Sequence, residues 1–268
     1  MKYLIILGDG MADRKIPSLG NKTPLMAANK PHIDSLAKKS KVGMVQTIPE
    51  GMEPGSGPAN MSVMGYAPSE FYTGRSPLEA VSLGINMTST DTAYRTNLVS
   101  LELEDGAPYE SAIMKDYSSG EISTAESTEI MKTIEAELGD QIKHFFPGRS
   151  YRHCLIWENG PLDITFTPPH DITGKPVADC LPKGDRADII LDMMKKSYEI
   201  LMNHPVNVAR REKGLNTADS IWLWGQGTKP ATPDFTEEYG LKGAMISAVD
   251  LLFGLARCSG LEVIEVDG

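Results

Sequence analysis

The chain begins with a short apolar run that ends in glycine and aspartate. Residues Tyr3 to Leu7 form the run, and Gly8, Asp9 and Gly10 follow it directly. A continuous apolar segment bounded by glycine is typical of a central parallel strand that is buried on both faces. A carboxylate directly after such a strand lies in the crevice where α/β folds bind ligands, and it suits Mg²⁺ or Mn²⁺. The alternative is that Asp9 only shapes a tight turn between the two glycines.

Apolar periodicity along the rest of the chain predicts alternating helices and strands, and therefore an α/β fold. The predicted helices cover residues 31–39, 58–64, 124–138, 185–202 and 241–256. The predicted strands cover residues 3–7, 42–47, 92–103, 151–157, 162–167, 220–224 and 261–266. In the helix over 185–202, one face is predicted to pack inward through Ile190, Met193, Met194, Ser197 and Leu201.

The texture of the sequence changes near residues 88 and 215, where a β-rich block replaces the strand–loop–helix alternation. We therefore predict a first domain over residues 1–87 that resumes over residues 216–268, with a smaller α/β domain inserted over residues 88–215. The first domain is expected to contain a mostly parallel sheet.

Composition limits the classes of function. The formal net charge of −10 argues against non-specific nucleic-acid binding, which needs a basic face, but a local arginine cluster could still bind a small anion. The three cysteines form no CxxC pair, which fits a reducing cytoplasm. No apolar stretch approaches the length of a membrane span or of a signal peptide.

A serine between two glycines is the second candidate for chemistry. Ser56 lies between Gly55 and Gly57, and Pro58 pre-sets the first turn of the following helix. A serine in this position faces the free N–H groups of the helix, which favour a phosphate. The alternative is an ordinary N-cap hydroxyl. No histidine is near Ser56 in the sequence, so activation by a metal is favoured over a histidine base.

Long segments of the sequence resemble one enzyme family from end to end. They include LIILGDGMAD, GMVQTIPEGMEPGSGPANMSVMGY, YTGRSPLEA, TPPHDITGKP and SIWLWGQGTKP. In order and spacing they resemble the archaeal-type cofactor-independent phosphoglycerate mutases of the alkaline phosphatase superfamily. The resemblance implies an alkaline-phosphatase-like core with an inserted cap domain. It also implies a glycolytic isomerase that interconverts 2- and 3-phosphoglycerate without 2,3-bisphosphoglycerate, through a phosphoserine and two divalent metal ions, Mn²⁺ or Mg²⁺.

The resemblance assigns roles to individual residues. Asp9 becomes a metal ligand, Ser56 the nucleophile and a second ligand of that metal, and Asp171 the proton shuttle on the glycerate hydroxyls. Family members often carry aspartate where this chain has Gly57. All five histidines precede the segment that supplies the remaining metal ligands in the family, so we expect this chain to be an inactive fragment of a longer enzyme.

The same resemblance marks candidate substrate contacts, which are Arg152, His153, His170, Arg210, Arg211 and Lys242. The guanidinium fork of arginine suits carboxylate and phosphate oxygens. Structural alternatives stay open: a solvated helix end for Arg210 and Arg211, a satisfied core histidine for His153, and a surface lysine for Lys242. Asp171 could instead cap the turn before Gly174. Arg75 is expected to order the loop around the nucleophile.

Two rival functions stay open. The same residues could serve a phosphatase, or a phosphotransferase that acts on another small alcohol such as homoserine. A non-catalytic domain that only binds phosphorylated metabolites is the rival from a different class. The expected partner is a small phosphorylated acid, with no nucleic acid and no membrane, and a homo-oligomer is compatible with the sequence.

Overall fold

Residues 1–266 are described by a computed structural model of the chain. Residue contacts divide the chain into two units, Met1–Gln46 and Thr47–Gly268. The helices are Pro24–Ala27 (α1), Pro31–Ala37 (α2), Ser56–Val63 (α3), Pro68–Phe71 (α4), Ser76–Ser82 (α5), Thr124–Leu138 (α6), Ala187–Met202 (α7), Pro205–Glu212 (α8), Phe235–Tyr239 (α9) and Asp250–Cys258 (α10). The strands are Asp91–Glu102 (β1), Ile113–Asp116 (β2), Lys143–Arg149 (β3), Arg152–Glu158 (β4), Ile164–Thr165 (β5), Lys183–Gly184 (β6), Ser220–Thr228 (β7), Ala244–Ile246 (β8) and Glu262–Ile264 (β9).

The first unit contains the helices α1 and α2 but neither of the strands predicted for it. The apolar runs over residues 3–7 and 42–47 are not in strands, and their side chains are exposed (84% for Leu4, 100% for Met44). A strand is held by backbone hydrogen bonds to neighbouring strands, and every strand that the structure describes lies within residues 91–264. The prediction of strands at 3–7 and 42–47 is therefore wrong for this structure.

The second unit is built on a five-stranded antiparallel sheet. The long strand β1 pairs along one edge with β4 and β2 and along the other with β7, and β3 continues the sheet beyond β4. The mixed α/β class is confirmed. This sheet is antiparallel, and the mostly parallel sheet predicted for the first domain is not confirmed. Among residues 1–266, the parallel pairing is confined to the short strands β8 and β9.

Helices α6 and α7 cover one face of this sheet and form the main core. The helix α6 matches the predicted range and begins at a capping box, in which Ser123 and Glu126 satisfy each other's backbone N–H groups. The predicted inward face of α7 is confirmed, since all five of its residues are buried. They pack against sheet residues that include Leu155 and Trp222. Burial of an apolar stripe at helical spacing is what holds these helices on the sheet.

The helix predicted over residues 241–256 is wrong in its first half. Residues 244–246 form β8, which pairs with β9 (Ala244 opposite Glu262), and α10 begins only at Asp250. Local apolar spacing does not report a strand partner that lies further along the chain, so pairing overrides the helical pattern here.

Helices α5 and α10 pack closely through a glycine. A Cβ on Gly254 would lie 2.6 Å from the carbonyl carbon of Leu78, closer than real Cβ atoms come to backbone. The absence of a side chain at Gly254 therefore sets how near the two helices approach.

None of the helices in the described residues has the length and apolar character needed to span a membrane. Strand β7 lies in the same sheet as β1 and β4, while the predicted domain boundaries at 87/88 and 215/216 stay predictions. The last two positions of the predicted segment 216–268 lie outside the described residues.

We expect Gly254→Ala to lower the free energy of unfolding by about 1–3 kcal/mol, because the new methyl group forces backbone against backbone. Urea denaturation measures the change. The control is Gly43→Ala, where no atom lies within 4 Å of the added carbon, and it should change stability by less than about 0.5 kcal/mol. Equal stability of the two variants would contradict the account of the helix contact.

Candidate functional site

A cleft of about 280 Å³ lies between α5, the start of α10 and the strands β1, β3 and β4. Four arginines line it, Arg75, Arg95, Arg149 and Arg152, together with the carboxylates of Glu79 and Asp250. Positive charges this close together repel one another and favour an anion between them. The cleft is therefore a candidate site for an anionic ligand in a chain whose formal net charge is −10.

One carboxylate holds two of the arginines. Glu79 Oε1 accepts from Arg75 Nε at 2.6 Å, and its Oε2 lies 3.1 Å from Arg95 Nε. Burial lowers the pKa of Arg95 from its usual value, and the charge of Glu79 opposes that shift. The ion pair with Glu79 therefore keeps the largely buried guanidinium of Arg95 charged and in place.

The ring of Trp224 fixes the other side of Arg95. The guanidinium carbon lies 4.3 Å from the ring centroid, which is cation–π geometry. Trp224 Nε1 donates to Asn97 Oδ1 at 3.0 Å, and Asn97 Nδ2 donates to the carbonyl of Tyr117 at 3.1 Å. Arg95 is thus positioned before any ligand arrives, so that binding orders little further side-chain freedom.

Aromatic contacts connect two of the predicted substrate residues. The Arg152 guanidinium carbon lies 5.4 Å from the centroid of the Tyr151 ring. Ring centroids are then 5.7 Å apart for Tyr151 and Tyr117, 6.1 Å for Tyr117 and His170, and 5.4 Å for His170 and Trp224. The structure therefore brings Arg152 and His170 into one chain of contacts that begins at the cleft.

Asp171 follows His170 at the end of a short 3₁₀ turn, Pro169–Asp171. Its Oδ1 lies 3.7 Å from His170 Nε2, and both side chains are exposed. Asp171 is therefore free to reach a ligand, and its role as a proton shuttle stays a prediction.

His153 is buried in strand β4 with one unsatisfied nitrogen. Its Nδ1 accepts the N–H of Gly148 at 3.0 Å, so the proton sits on Nε2, which has no hydrogen-bond partner in the described structure. Burial lowers the pKa of His153 to about 3. At neutral pH it is uncharged, and it could offer a ligand only a neutral N–H.

The structure does not place Arg210, Arg211 or Lys242 among the residues that line the cleft. Arg210 is buried, and each of its three nitrogens donates to protein: Nη1 to both Glu126 oxygens at 3.0 Å, Nε to Asn216 O and Nη2 to Ser119 O, both at 2.7 Å. This network ties α8 to the start of α6.

The other two cations are exposed. Arg211 Nη2 donates to the carbonyl of Met202 at 2.6 Å. Lys242 precedes β8 instead of opening a helix. The substrate contacts predicted for Arg210, Arg211 and Lys242 stay predictions.

Ser56 is the first residue of α3, and it is exposed. The N-cap position belongs to Gly55, and no side chain caps this helix end. Ser56 is therefore not the N-cap residue in this structure, and its hydroxyl makes no capping hydrogen bond.

Asp9 lies exposed in the first unit, Met1–Gln46, whereas Ser56 lies in the second. Within residues 1–266 no group of three or more His, Cys, Asp and Glu side chains could hold a metal ion. The metal-ligand roles of Asp9 and Ser56 stay predictions.

Sequence reasoning missed Arg95, Trp224 and Tyr117. One signal was present: Arg95 interrupts a strand, Asp91–Glu102, whose other residues up to Leu101 are all buried. A charge in such a strand needs a partner or a ligand. No comparable pattern marks Trp224, because aromatic residues are common in strands.

The buried His153 predicts a pH dependence of stability. Because its pKa is near 3 when folded and about 6.5 when unfolded, the unfolded chain binds more protons between these values. The contribution of the neutral histidine to the free energy of unfolding is fully present above about pH 6.5. It is lost as the pH falls toward 3, by up to about 1.4 kcal/mol per pH unit.

Urea denaturation between about pH 7 and pH 5 should therefore show a shallower loss of stability in His153→Gln than in the unmodified chain. The exposed His32, changed to Gln, is the control and should leave the slope unchanged. Parallel curves for His153→Gln and the unmodified chain would contradict the assignment.

Comparison with known proteins gives a consistent match. The family model described as 2,3-bisphosphoglycerate-independent phosphoglycerate mutase matches residues 37–207. A probable 2,3-bisphosphoglycerate-independent phosphoglycerate mutase of Geobacter sulfurreducens is 48% identical over 268 residues, which is 100% of this chain and 66% of that protein. The 2,3-bisphosphoglycerate-independent phosphoglycerate mutase of Methanosarcina barkeri is also 48% identical, over 269 residues and with the same coverage.

Two solved structures are similar to this chain over almost its whole length. A Pyrococcus horikoshii protein aligns with a TM-score of 0.74 and 29% identity, over 97% of this chain and 60% of that one. The cofactor-independent phosphoglycerate mutase of Thermoplasma acidophilum aligns with a TM-score of 0.64 and 28% identity, over 97% of this chain and 68% of that one. The chain spans 66% of the length of the two curated relatives. The chain belongs to the 2,3-bisphosphoglycerate-independent phosphoglycerate mutase family.

Proposed function

We propose that the protein carrying this sequence interconverts 2- and 3-phosphoglycerate through a phosphoserine at Ser56, without 2,3-bisphosphoglycerate. The observation that supports this most is the cleft lined by four arginines, in the same unit as the exposed Ser56. Both substrates carry a phosphate and a carboxylate, and arginine forks suit both groups.

The proposed reaction has two transfers. Ser56 Oγ attacks the phosphorus, the bond from phosphorus to the glycerate oxygen breaks, and the serine proton ends on the released glycerate hydroxyl. Glycerate then turns within the site, and its other hydroxyl takes the phosphoryl group back by the reverse steps. Each transfer needs one acid and one base step, and Asp171 is our candidate for both.

Arg95 and Arg152 are the proposed holders of glycerate between the transfers. Arg95 is already fixed by Glu79 and Trp224, and the exposed Arg152 lies at the cleft beside Tyr151. Retention of glycerate is the essential step, because water that reaches the phosphoserine first would make the protein a phosphatase.

Two divalent ions, Mn²⁺ or Mg²⁺, are part of the proposal, with Asp9 and Ser56 as ligands from this sequence. Among residues 1–266, no group of His, Cys, Asp and Glu side chains fits such a pair. We also propose a cytoplasmic location and a small phosphorylated acid as the ligand, and a homo-oligomer is compatible with this function.

Ser56→Ala should abolish the interconversion, by at least about 1,000-fold in kcat, because no other group takes the phosphoryl. An enolase-coupled assay of the full gene product with Mn²⁺ and 3-phosphoglycerate measures it. The control is Ser62→Ala in the same helix, which should keep its rate. Retained mutase turnover in Ser56→Ala would remove Ser56 from the mechanism. Release of phosphate by the unmodified protein would favour a phosphatase, and transfer to homoserine a phosphotransferase.

Arg152→Ala should raise KM for 3-phosphoglycerate by about 10- to 100-fold, because a charge-assisted hydrogen bond to the substrate is lost. The same coupled assay gives KM and kcat separately. The matched control is Arg186→Ala, since Arg186 also lies over an aromatic ring, that of Trp157 at 5.7 Å, but outside the cleft. An unchanged KM in Arg152→Ala would assign Arg152 to the surface instead.

A further inference from the structure

The residue after the proposed nucleophile is covered by an aromatic ring. Gly57 is buried in the first turn of α3, and a Cβ built on it would lie 2.8 Å from Tyr72 Cζ and 2.9 Å from the Tyr72 hydroxyl oxygen. Real Cβ atoms do not come so close to other atoms. The phenol of Tyr72 therefore occupies the space that a side chain at position 57 would take, at the residue that follows Ser56 in the chain.

Tyr72 is held in this position by packing on several sides. It follows α4, and its N–H donates to the carbonyl of Pro68 at 2.9 Å. Its ring packs against the apolar cluster that contains Met61 of α3, Leu78 of α5 and Leu251 of α10. The ring is thus fixed by three helices, two of which line the arginine cleft.

The hydroxyl end of Tyr72 is not used by this packing. Within residues 1–266, no hydrogen bond of the Tyr72 hydroxyl to a protein atom is found, although the side chain is half-buried. Tyrosine carries one O–H donor, and at Tyr72 this donor can turn to a ligand. The other tyrosine of this cluster, Tyr66, donates to the carbonyl of Pro233 at 2.8 Å.

The charges around Tyr72 belong to the cleft. Burial raises the pKa of the Tyr72 hydroxyl, Arg75 and Arg95 act against that shift, and Glu79 adds to it. The phenol is therefore protonated at neutral pH and available as a donor. The charges that act on Tyr72 are those of Arg75, Glu79 and Arg95 at the cleft wall. Tyr72 thus lies between the first turn of α3 and the arginine cleft.

We propose that the Tyr72 hydroxyl donates a hydrogen bond to an oxygen of the phosphoryl group at Ser56, as a further substrate-contacting residue of this site. This rests on the proposed function, because it needs a phosphoryl group at Ser56. A neutral donor fixed by packing stabilises charge that develops on the phosphoryl oxygens without reorganising during the transfer.

Tyr72→Phe keeps the ring over Gly57 and removes only the hydroxyl. We expect kcat of the full gene product to fall by about 10- to 100-fold, with KM within about threefold and an unchanged melting temperature. The matched control is Tyr239→Phe, which removes a hydroxyl that donates to Gly65 O at 2.7 Å, and it should leave kcat unchanged. If kcat of Tyr72→Phe stays within about twofold, the proposal is overturned.

Gly57→Ala tests the same contact from the other side. The added methyl group must displace the Tyr72 ring, so we expect a loss of kcat similar to that of Tyr72→Phe. In Gly57→Ala/Tyr72→Phe the loss should be no larger than in either single variant, because both remove one interaction. Losses that multiply in the double variant would overturn the proposal.

Calorimetric titration with orthovanadate, a phosphoryl mimic, provides a readout that needs no turnover. We expect Tyr72→Phe to weaken vanadate binding about tenfold, and Tyr239→Phe to leave it unchanged. If the unmodified protein shows no mutase turnover but this difference persists, the proposed function fails while the Tyr72 contact stands. If turnover is present and Tyr72→Phe changes neither kcat nor vanadate binding, the contact fails while the function stands.

Discussion

The pairing of β1 with strands on both of its edges is the constraint on which the site depends. Arg95 lies opposite Cys154 of β4 on one edge and opposite Trp224 of β7 on the other. This register places the guanidinium against the indole and places Arg152 two positions from Cys154 along the same strand. A slip by one residue would turn Arg95 to the opposite face of the sheet, which α6 and α7 cover. Sheet register, more than loop conformation, therefore assembles the arginine cleft.

Local patterns predicted the elements whose cause is local. The helix at 124–138 is predictable because the residues that form and cap it lie within or next to the segment itself, and the inward face of α7 follows from apolar spacing alone. The predictions of secondary structure are wrong at segments whose conformation depends on a pairing strand elsewhere in the chain. Residues 3–7 carry the composition of a buried strand without forming one, and residues 244–246 are a strand because of Glu262–Ile264. Composition indicates which segments could be buried strands, but whether they pair depends on distant segments.

The site divides in the same way. Ser56, Arg152 and His170 were predicted from motifs, and the structure gives Ser56 a helix start without a capping role and connects Arg152 to His170 through aromatic rings. The charge of Arg210 is matched by Glu126 within the fold, a contact between distant segments that the motif around Arg210 does not reveal. Tyr72 was not a sequence candidate, because its position over Gly57 is a contact that spacing along the chain does not reveal.

The proposed function depends on Ser56 carrying the phosphoryl group during turnover. Peptide mass spectrometry of the full gene product, quenched in acid during turnover of 3-phosphoglycerate with Mn²⁺, tests this. We predict phosphate on the peptide that contains Ser56, and none when substrate is omitted. Turnover with phosphate on another residue, or on none at any quench time, would contradict it.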